Sequence, residues 1–401
     1  MKGPKQYKVL VLGVDYDQIA IKKPDLLRSK LSRDRLYPEI HDFLVLGYAP
    51  KGRAGIIDTH IRYHHVRSFF QHIRPIDDFL LIFRLPFILL RHRFSPDFIT
   101  TSNAGFLLPL LFIKLFTKAK LFFFVIGLPR ELSWKTQSYL QYFYIFLSET
   151  FGRFLIDYAA VKSTALRDYA RNYLRVPKER TTLFFNNFIE TDLPLIAQAD
   201  PRFVYNALPI KKGTKIIVSV GRLEPEKQFD RLVALFSEAD IENTVLVILG
   251  EGRLRPQLEE FIKEKNMTDR VFLPGFVNRK NLWSYYAAAD VFVLLSLSEG
   301  AAYVVFEAMY SKTPVIASPI AGVRDAIGQE ERGWYLDDRC DSRSFGDLAT
   351  KLFAKEDSAK KTIEKARLYV ESSMSQRDSI ASFFPNYAPV KNSTDSTIGL
   401  S

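Results

Sequence analysis

From Lys215 to Ile327 the chain repeats one pattern: a short apolar run rich in β-branched residues, a turn, then a helical stretch. KIIVSV (215–220) precedes a helix around Phe229–Phe236, and TVLVIL (244–249) precedes one around Arg255–Lys265. VFL (271–273) leads to a helix through Asn281–Ala289, VFVLLS (291–296) to one around Tyr303–Tyr310, and PVIAS (314–318) to a short one near Val323–Ile327. Strands alternating with helices at this spacing build βαβ units on a parallel sheet. The runs are apolar almost throughout, as strands covered on both faces must be. No internal repeat of the solenoid kind accompanies them.

The first half alternates too. YKVLVLG (7–13), DFLVLGYA (42–49), HIRYHHV (60–66), FITTS (98–102), KLFFFVIG (120–127), YAAVKS (158–163) and TTLFFNN (181–187) read as strands, with apolar helices between several of them. The stretch from Asp192 to Thr214, with Pro194, Pro201, Pro209 and a Lys-Lys-Gly, breaks the pattern. The expected fold class is α/β: two doubly wound Rossmann-like domains facing a central cleft. The boundaries read as a basic N-terminal domain over 1–195, a linker over 196–212 and a C-terminal domain over 213–375. Residues 376–390 are expected to return to the first domain, and the polar tail 391–401 to be disordered. A chain of 401 residues suits two such domains and can bury roughly three quarters of its unfolded surface without metal or disulfide staples.

Charge is unevenly placed. Residues 1–200 hold 29 Lys and Arg against 18 Asp and Glu, whereas residues 201–401 hold 27 of each. All six histidines also lie in the first half. A basic half beside a neutral one faces something anionic. Nucleic acid is set aside, because no helix-turn-helix, zinc-finger or aromatic–basic RNA signature occurs. The longest apolar runs, 79–90 and 105–116, fall short of the roughly 20 residues that a bilayer-spanning helix needs. They are expected as buried crossover helices; the alternative is a membrane-facing edge with Arg84, Arg91, Arg93, Lys114, Lys118 and Lys120 reaching headgroups. The N-terminal apolar run is a six-residue strand, not a signal peptide. The lone Cys340 can form no internal bridge, so a cytoplasmic location fits best. No Cys/His cluster has metal-ligand spacing, and no metal is expected.

The chemistry gathers where the strands of the second half end. Gly221-Arg222 follows the first, with Lys227 five residues on; Gly250-Glu251-Gly252 follows the second, Gly275-Phe276 the third and Glu299-Gly300 the fourth. In an open parallel sheet these turns share one rim, where ligands bind. Each glycine alone is an ordinary turn; four on one rim describe a site. Glu299-Gly300-Ala301-Ala302-Tyr303-Val304-Val305-Phe306-Glu307 sets two carboxylates eight positions apart across a strand-to-helix turn. Small side chains leave the amides of Gly300, Ala301 and Ala302 free at the helix start, an anion site. Glu307, offset by roughly 10 Å along the helix, would suit the far end of a nucleotide sugar.

The strings VGRLEPEKQFDRLVALF, LGEGRLRPQLEE, FLPGFVNRKNLWSYYAAADVFVLLSLSEGAAYVVFEAMYSKTPVIAS and AGVRDAI resemble the donor domain of family 4 retaining glycosyltransferases of GT-B fold. The resemblance runs over roughly residues 215–340. It implies that Arg222 and Lys227 neutralise the donor diphosphate and that Glu307 holds the ribose hydroxyls. Glu299 would contact the donor sugar, the amides of Gly300 to Tyr303 would lie near the distal phosphate, and backbone near Gly221, Gly252, Phe276 and Val277 would frame the nucleotide. FFNNFIETDLP (184–194) is similar to the segment closing that family's first domain, with Asn187 matching and Glu190 in place of the usual Asp. Two positions depart from the family. Gly13-Val14-Asp15-Tyr16-Asp17 carries one glycine where a Gly-rich loop is usual, and Gly127 stands where many members carry a histidine. For Lys227 the bland alternative is pairing with Glu224 or Glu226; for Asp15 and Asp17 it is a cap or turn.

The expectation is thus a glycosyltransferase moving a sugar from a nucleoside-diphosphate sugar to an acceptor hydroxyl on a glycan or lipid-linked sugar, with retention and without metal or other cofactor. An anionic membrane surface reached through the first domain is the further candidate partner. The alternatives are a sugar-nucleotide epimerase of similar fold, or a non-catalytic protein binding a nucleotide sugar or a membrane.

Overall fold

The computed structural model describes residues 7–12, 40–49, 54–58, 61–67, 74–135, 137–183, 188–354 and 356–375. Gly13 to Asp17, Asn187, the segment 376–390 and the tail 391–401 lie outside the described residues.

The first sheet has eight strands in the order β3-β4-β2-β1-β5-β6-β7-β8. They are β1 (Tyr7–Leu12), β2 (Ile40–Ala49), β3 (Ala54–Asp58), β4 (Ile61–Arg67), β5 (Phe98–Thr101), β6 (Lys120–Val125), β7 (Ile156–Val161) and β8 (Thr181–Leu183). All pair in parallel except the edge strand β3, which runs antiparallel to β4. β3 was not read from the sequence, because AGIID is too short to stand out. The helices described here are α1 (Arg74–Arg91), α2 (Leu107–Phe116), α3 (Pro129–Lys135), α4 (Tyr139–Gly152) and α5 (Thr164–Asn172).

The second sheet has six parallel strands in the order β11-β10-β9-β12-β13-β14. They are β9 (Lys215–Val220), β10 (Thr244–Leu249), β11 (Val271–Gly275), β12 (Val291–Leu294), β13 (Val315–Ala317) and β14 (Trp334–Tyr335). Alternation along the strands feeds two cores. Ile216, Val218, Val245 and Val247 face one layer; Ile217, Leu246 and Ile248 face the other. Six residues of β10 are buried in succession, which is why its sequence reads apolar without alternation.

The stretch read as the linker is not an open tether. It follows α6 (Phe188–Ile196) and contains α7 (Arg202–Ala207), and both pack on α10 (Arg279–Ala288) of the second domain. Val204 is wholly buried in that core, and the Asp200 amide donates to Ser284 Oγ at 3.0 Å. The prolines that suggested a break sit inside α6 (Pro194) and at the N-cap of α7 (Pro201).

The apolar runs 79–90 and 105–116 form α1 and α2, but they are not wholly buried as expected. Leu81, Leu85, Ile88, Leu107, Leu110 and Ile113 enter the first core, while Phe83, Phe87, Leu90 and Phe116 point to solvent. No helix among the described residues is long and apolar enough to cross a membrane.

α2 and α4 meet at Gly152, where an added Cβ would lie 2.3 Å from Leu107 Cβ. Gly152→Ala should therefore cost about 1–3 kcal/mol, the usual penalty for overpacking. A shift in the denaturant midpoint at unchanged slope would register it; an unaltered midpoint would mean that the crossing is looser than this.

Candidate functional site

In both sheets the winding direction reverses once, between β1 and β5 and between β9 and β12. Loops leaving the carboxyl ends of the two strands at such a point part in opposite directions and leave a crevice. The turns after β9, β10 and β11 and the loop after β12 all meet this rim. They pack on one another closely: a Cβ on Gly250, at φ +140°, would lie 1.9 Å from Gly221 O, and one on Gly252 would lie 2.3 Å from Leu223 O. Gly252 thus lacks a side chain because the neighbouring turn occupies that space. At Gly221 the nearest atoms to a Cβ are Phe229 Cζ and the Lys227 stem, 3.3–3.4 Å away.

Lys227, from the turn after β9, forms an ion pair with Glu299, from the loop after β12. Their side chains are only 13% and 14% exposed, and Ser296 Oγ donates to the same Glu299 oxygen at 2.8 Å. The pairings weighed for Lys227 in sequence are taken elsewhere: Glu226 accepts from Arg222 at 2.9 Å, and Glu224 pairs with Arg253 at 2.7 Å. Arg222, at 73% exposure, is the outer cation of the two.

Glu307 stands apart from that pair. It lies in α11 (Tyr303–Tyr310), 4% exposed, with Arg279 Nη1 at 2.6 Å from one oxygen and Tyr286 Oη at 2.8 Å from the other. Burial raises its pKa, and Arg279 and Tyr286 pull it back. Arg279 also binds Asp192, which accepts from Trp283 Nε1 at 3.1 Å. Arg279 was not singled out in sequence because RKN at a helix start reads as a solvated face. It begins α10 just after the Asn278 cap, and its side chain, 42% exposed, reaches Asp192 and Glu307. The two carboxylates of the E-x7-E element therefore serve separate networks.

The amides at the start of α11 are partly used, contrary to the sequence expectation. Tyr303 N donates to Ala301 O at 2.9 Å, and Ala302 N reaches Gly322 O at 3.5 Å. Those of Gly300, Ala301 and Val304 bond no described residue. A Cβ on Gly300 would lie 1.6 Å from Ile126 O of the first domain, so its absence here serves domain contact. Ala302 is buried. The Tyr303 ring has Lys162 Nζ 5.4 Å from its centroid, again from the first domain. Asp325 of α12 (Ala321–Ile327) accepts from Thr164 N and Oγ1 at the start of α5. On the remaining wall Val277 packs against the core and the Phe276 side chain is 78% exposed.

Behind Gly127 the first domain holds a second cluster that sequence reasoning missed. Arg130, in the first turn of α3, lies between the rings of Phe146 and Tyr173, 5.5 and 5.2 Å from their centroids. Its guanidinium is 3.6 Å from Glu149, which accepts from the Tyr169 hydroxyl. Burial pushes the Glu149 carboxyl up to about 7, against the pull of Tyr169 and Arg130. Of the described histidines, His64 and His92 pair with each other, Nδ1 to Nε2 at 3.1 Å.

The chain is similar to known proteins in sequence and in fold. Residues 203–369 match the family model described as Glycosyl transferases group 1. An uncharacterized glycosyltransferase of Methanocaldococcus jannaschii is 30% identical over 188 residues, 46% of this chain and 48% of that one. This chain covers less than half the length of the curated relatives it matches. Over the whole fold, sucrose-phosphate synthase of Thermosynechococcus elongatus superimposes with a TM-score of 0.70 at 17% identity, covering 92% of this chain and 94% of that one. Anabaena HepE in complex with UDP and glucose does so with a TM-score of 0.63 at 16% identity, covering 92% and 95%. The fold is that of the GT-B glycosyltransferases.

Glu149 offers a test of the cluster that supports the interdomain loop. A carboxyl raised from 4.5 to about 7 by burial contributes stability that is complete below the unfolded value and lost as pH rises through about 7. Glu149→Gln, which keeps the Tyr169 partner, should gain on the wild type by up to about 3 kcal/mol between pH ~4.5 and ~7.5 and then level off. A difference in melting temperature that stays flat across that window would show that Glu149 is not held neutral by burial.

Proposed function

We propose that the chain transfers a sugar from a nucleoside-diphosphate sugar to an acceptor hydroxyl on a glycan or lipid-linked sugar, with retention of configuration. The observation that carries this reading is the Lys227–Glu299 pair at the switch point of the second sheet, beside the unbonded amides of Gly300, Ala301 and Val304. A donor diphosphate seated there competes with Glu299 for Lys227. Lys227 then turns to the phosphate, Arg222 closes from outside, and Glu299 is released towards the sugar hydroxyls. Charge developing on the leaving diphosphate falls on two cations and amide donors already in place, which lets the sugar–oxygen bond break towards an oxocarbenium-like state. The match to the group 1 glycosyltransferase model over the same domain and the UDP-bound neighbour of the same fold support this reading. Glu307 keeps lone pairs beyond those used by Arg279 and Tyr286, and in this reading it accepts from the ribose hydroxyls.

Thermal shift with UDP-, GDP- and ADP-sugars tests it first, since saturation at about 100 times Kd adds roughly 2.7 kcal/mol. One donor should shift the melting point and yield transferred sugar with an acceptor. Silence with all three classes would end the proposal, and a free epimer as product would favour the epimerase.

Lys227→Ala should weaken nucleoside diphosphate by about tenfold or more, as a charge-assisted bond contributes roughly 1.5–3 kcal/mol, yet leave nucleoside binding unchanged. Arg222→Ala should do the same more weakly, being solvent-screened. Equal losses for nucleoside and diphosphate would remove the phosphate assignment. Turnover should also survive EDTA; a loss restored by Mn²⁺ or Mg²⁺ would place a metal on the diphosphate instead.

A further inference from the structure

The corner of the first domain where β5, β6 and β7 begin exposes an apolar surface that the fold does not use. α1 and α2 pack on each other, and the turn Arg153–Leu155 packs on α2. Each turns one side to the core. On the other side of α1, Phe83, Phe87 and Leu90 follow at helical spacing, 59%, 74% and 75% exposed, increasing towards the strand-start edge. α2 repeats the gradient, from Phe112 at 46% to Phe116 at 78%, and Phe154 beside it is 74% exposed. At roughly 150–250 Å² per aromatic side chain, this surface is on the order of 1,000 Å², well above the few hundred a soluble monomer usually shows.

Basic residues rim the same edge. Arg91 ends α1 and Arg93 follows it, Lys118 and Lys120 follow α2, and Arg153 follows α4. Between Phe79 and Lys120 there are six Lys and Arg and a single acid, Asp97, which accepts from the Lys8 amide at 2.9 Å. A second copy of the chain would bring one basic rim against another in a two-fold contact. An anionic surface would not.

We propose that this corner docks on an anionic bilayer, with Phe87, Leu90, Phe116 and Phe154 entering the headgroup–acyl boundary and the basic rim on lipid phosphates. The docking is peripheral, since no described helix can span a bilayer. The donor turns lie at the strand-end edge of the other sheet, so docking does not depend on the transferase reading.

The test is sedimentation of the full chain with vesicles of phosphatidylcholine and phosphatidylglycerol in equal parts, against phosphatidylcholine alone. The protein should pellet with the anionic vesicles at roughly 0.1 M salt and be released near 1 M, where the Debye length falls from about 10 to 3 Å. Phe87→Glu with Phe116→Glu should weaken binding by at least about tenfold without lowering the melting temperature, because both side chains face solvent. Reversal of Arg91, Arg93, Lys118 and Lys120 should abolish the preference for anionic lipid. Wild type that stays in the supernatant, or a double Phe variant that binds unchanged, would overturn the proposal. So would wild type that self-associates through this corner and becomes monomeric in the Phe variant, with neither binding vesicles.

Discussion

The ion pair between Lys227 and Glu299 joins side chains 72 residues apart and ties the turn after β9 to the loop after β12. It exists because β9 and β12 are neighbours although one winding direction ends and the other begins between them. Their following segments leave in opposite directions, and a cation from one side meets a carboxylate from the other over the crevice. Both partners keep a small exposed area, 13% and 14%, so the pair stands at the wall of the crevice and not in the core.

Asp192, Arg279 and Glu307 show the opposite regime. Two carboxylates share one guanidinium, with Tyr286 and Trp283 donating from the core. Burial raises the pKa of Glu307 above the usual carboxylate value, Arg279 and Tyr286 pull it back, and the nearby Asp192 adds a smaller push upward. The geometry nevertheless has a structural logic. Asp192 belongs to α6, in the stretch between the domains, and Arg279 starts α10, on which α6 packs. The triangle ties the interdomain stretch to the helix carrying the second glutamate of the E-x7-E element.

The fold was legible because strands buried on both faces must be apolar, and every strand from KIIVSV to PVIAS announced itself. β3 and the two-residue β14 did not, being too short to carry a period. Within the stretch read as the linker a helix went unread, because proline marks a helix start as readily as a break, and Pro201 does the former. In the site, Lys227 and Glu299 were named for reasons of position along the rim, but that they face each other is a property of strand order, which spacing does not encode. Arg279 and Glu149 were invisible for a related cause: a charged residue on a helix looks solvated until its neighbours in space are known. For α1 the composition was plain, yet a run as apolar as 79–90 reads the same whether its second face meets protein or solvent.

The glycine at position 300 separates two meanings of one residue. In sequence it promised free amides at a helix start; in space it also admits the Ile126 carbonyl of the other domain where any side chain would collide. Glu299 is its neighbour in the chain, so the first domain bears directly on the segment that carries the carboxylate. Ile126 leads through Gly127 into α3, whose first turn is fixed by Arg130 between two aromatic rings and beside Glu149 of α4. Gly127 itself has no atom of the described residues within 4 Å of where a Cβ would stand. Among the described residues, none occupies the space that a side chain at this position would take. What the loop supplies instead is a backbone carbonyl pressed against Gly300, held in place by a cluster several residues further on.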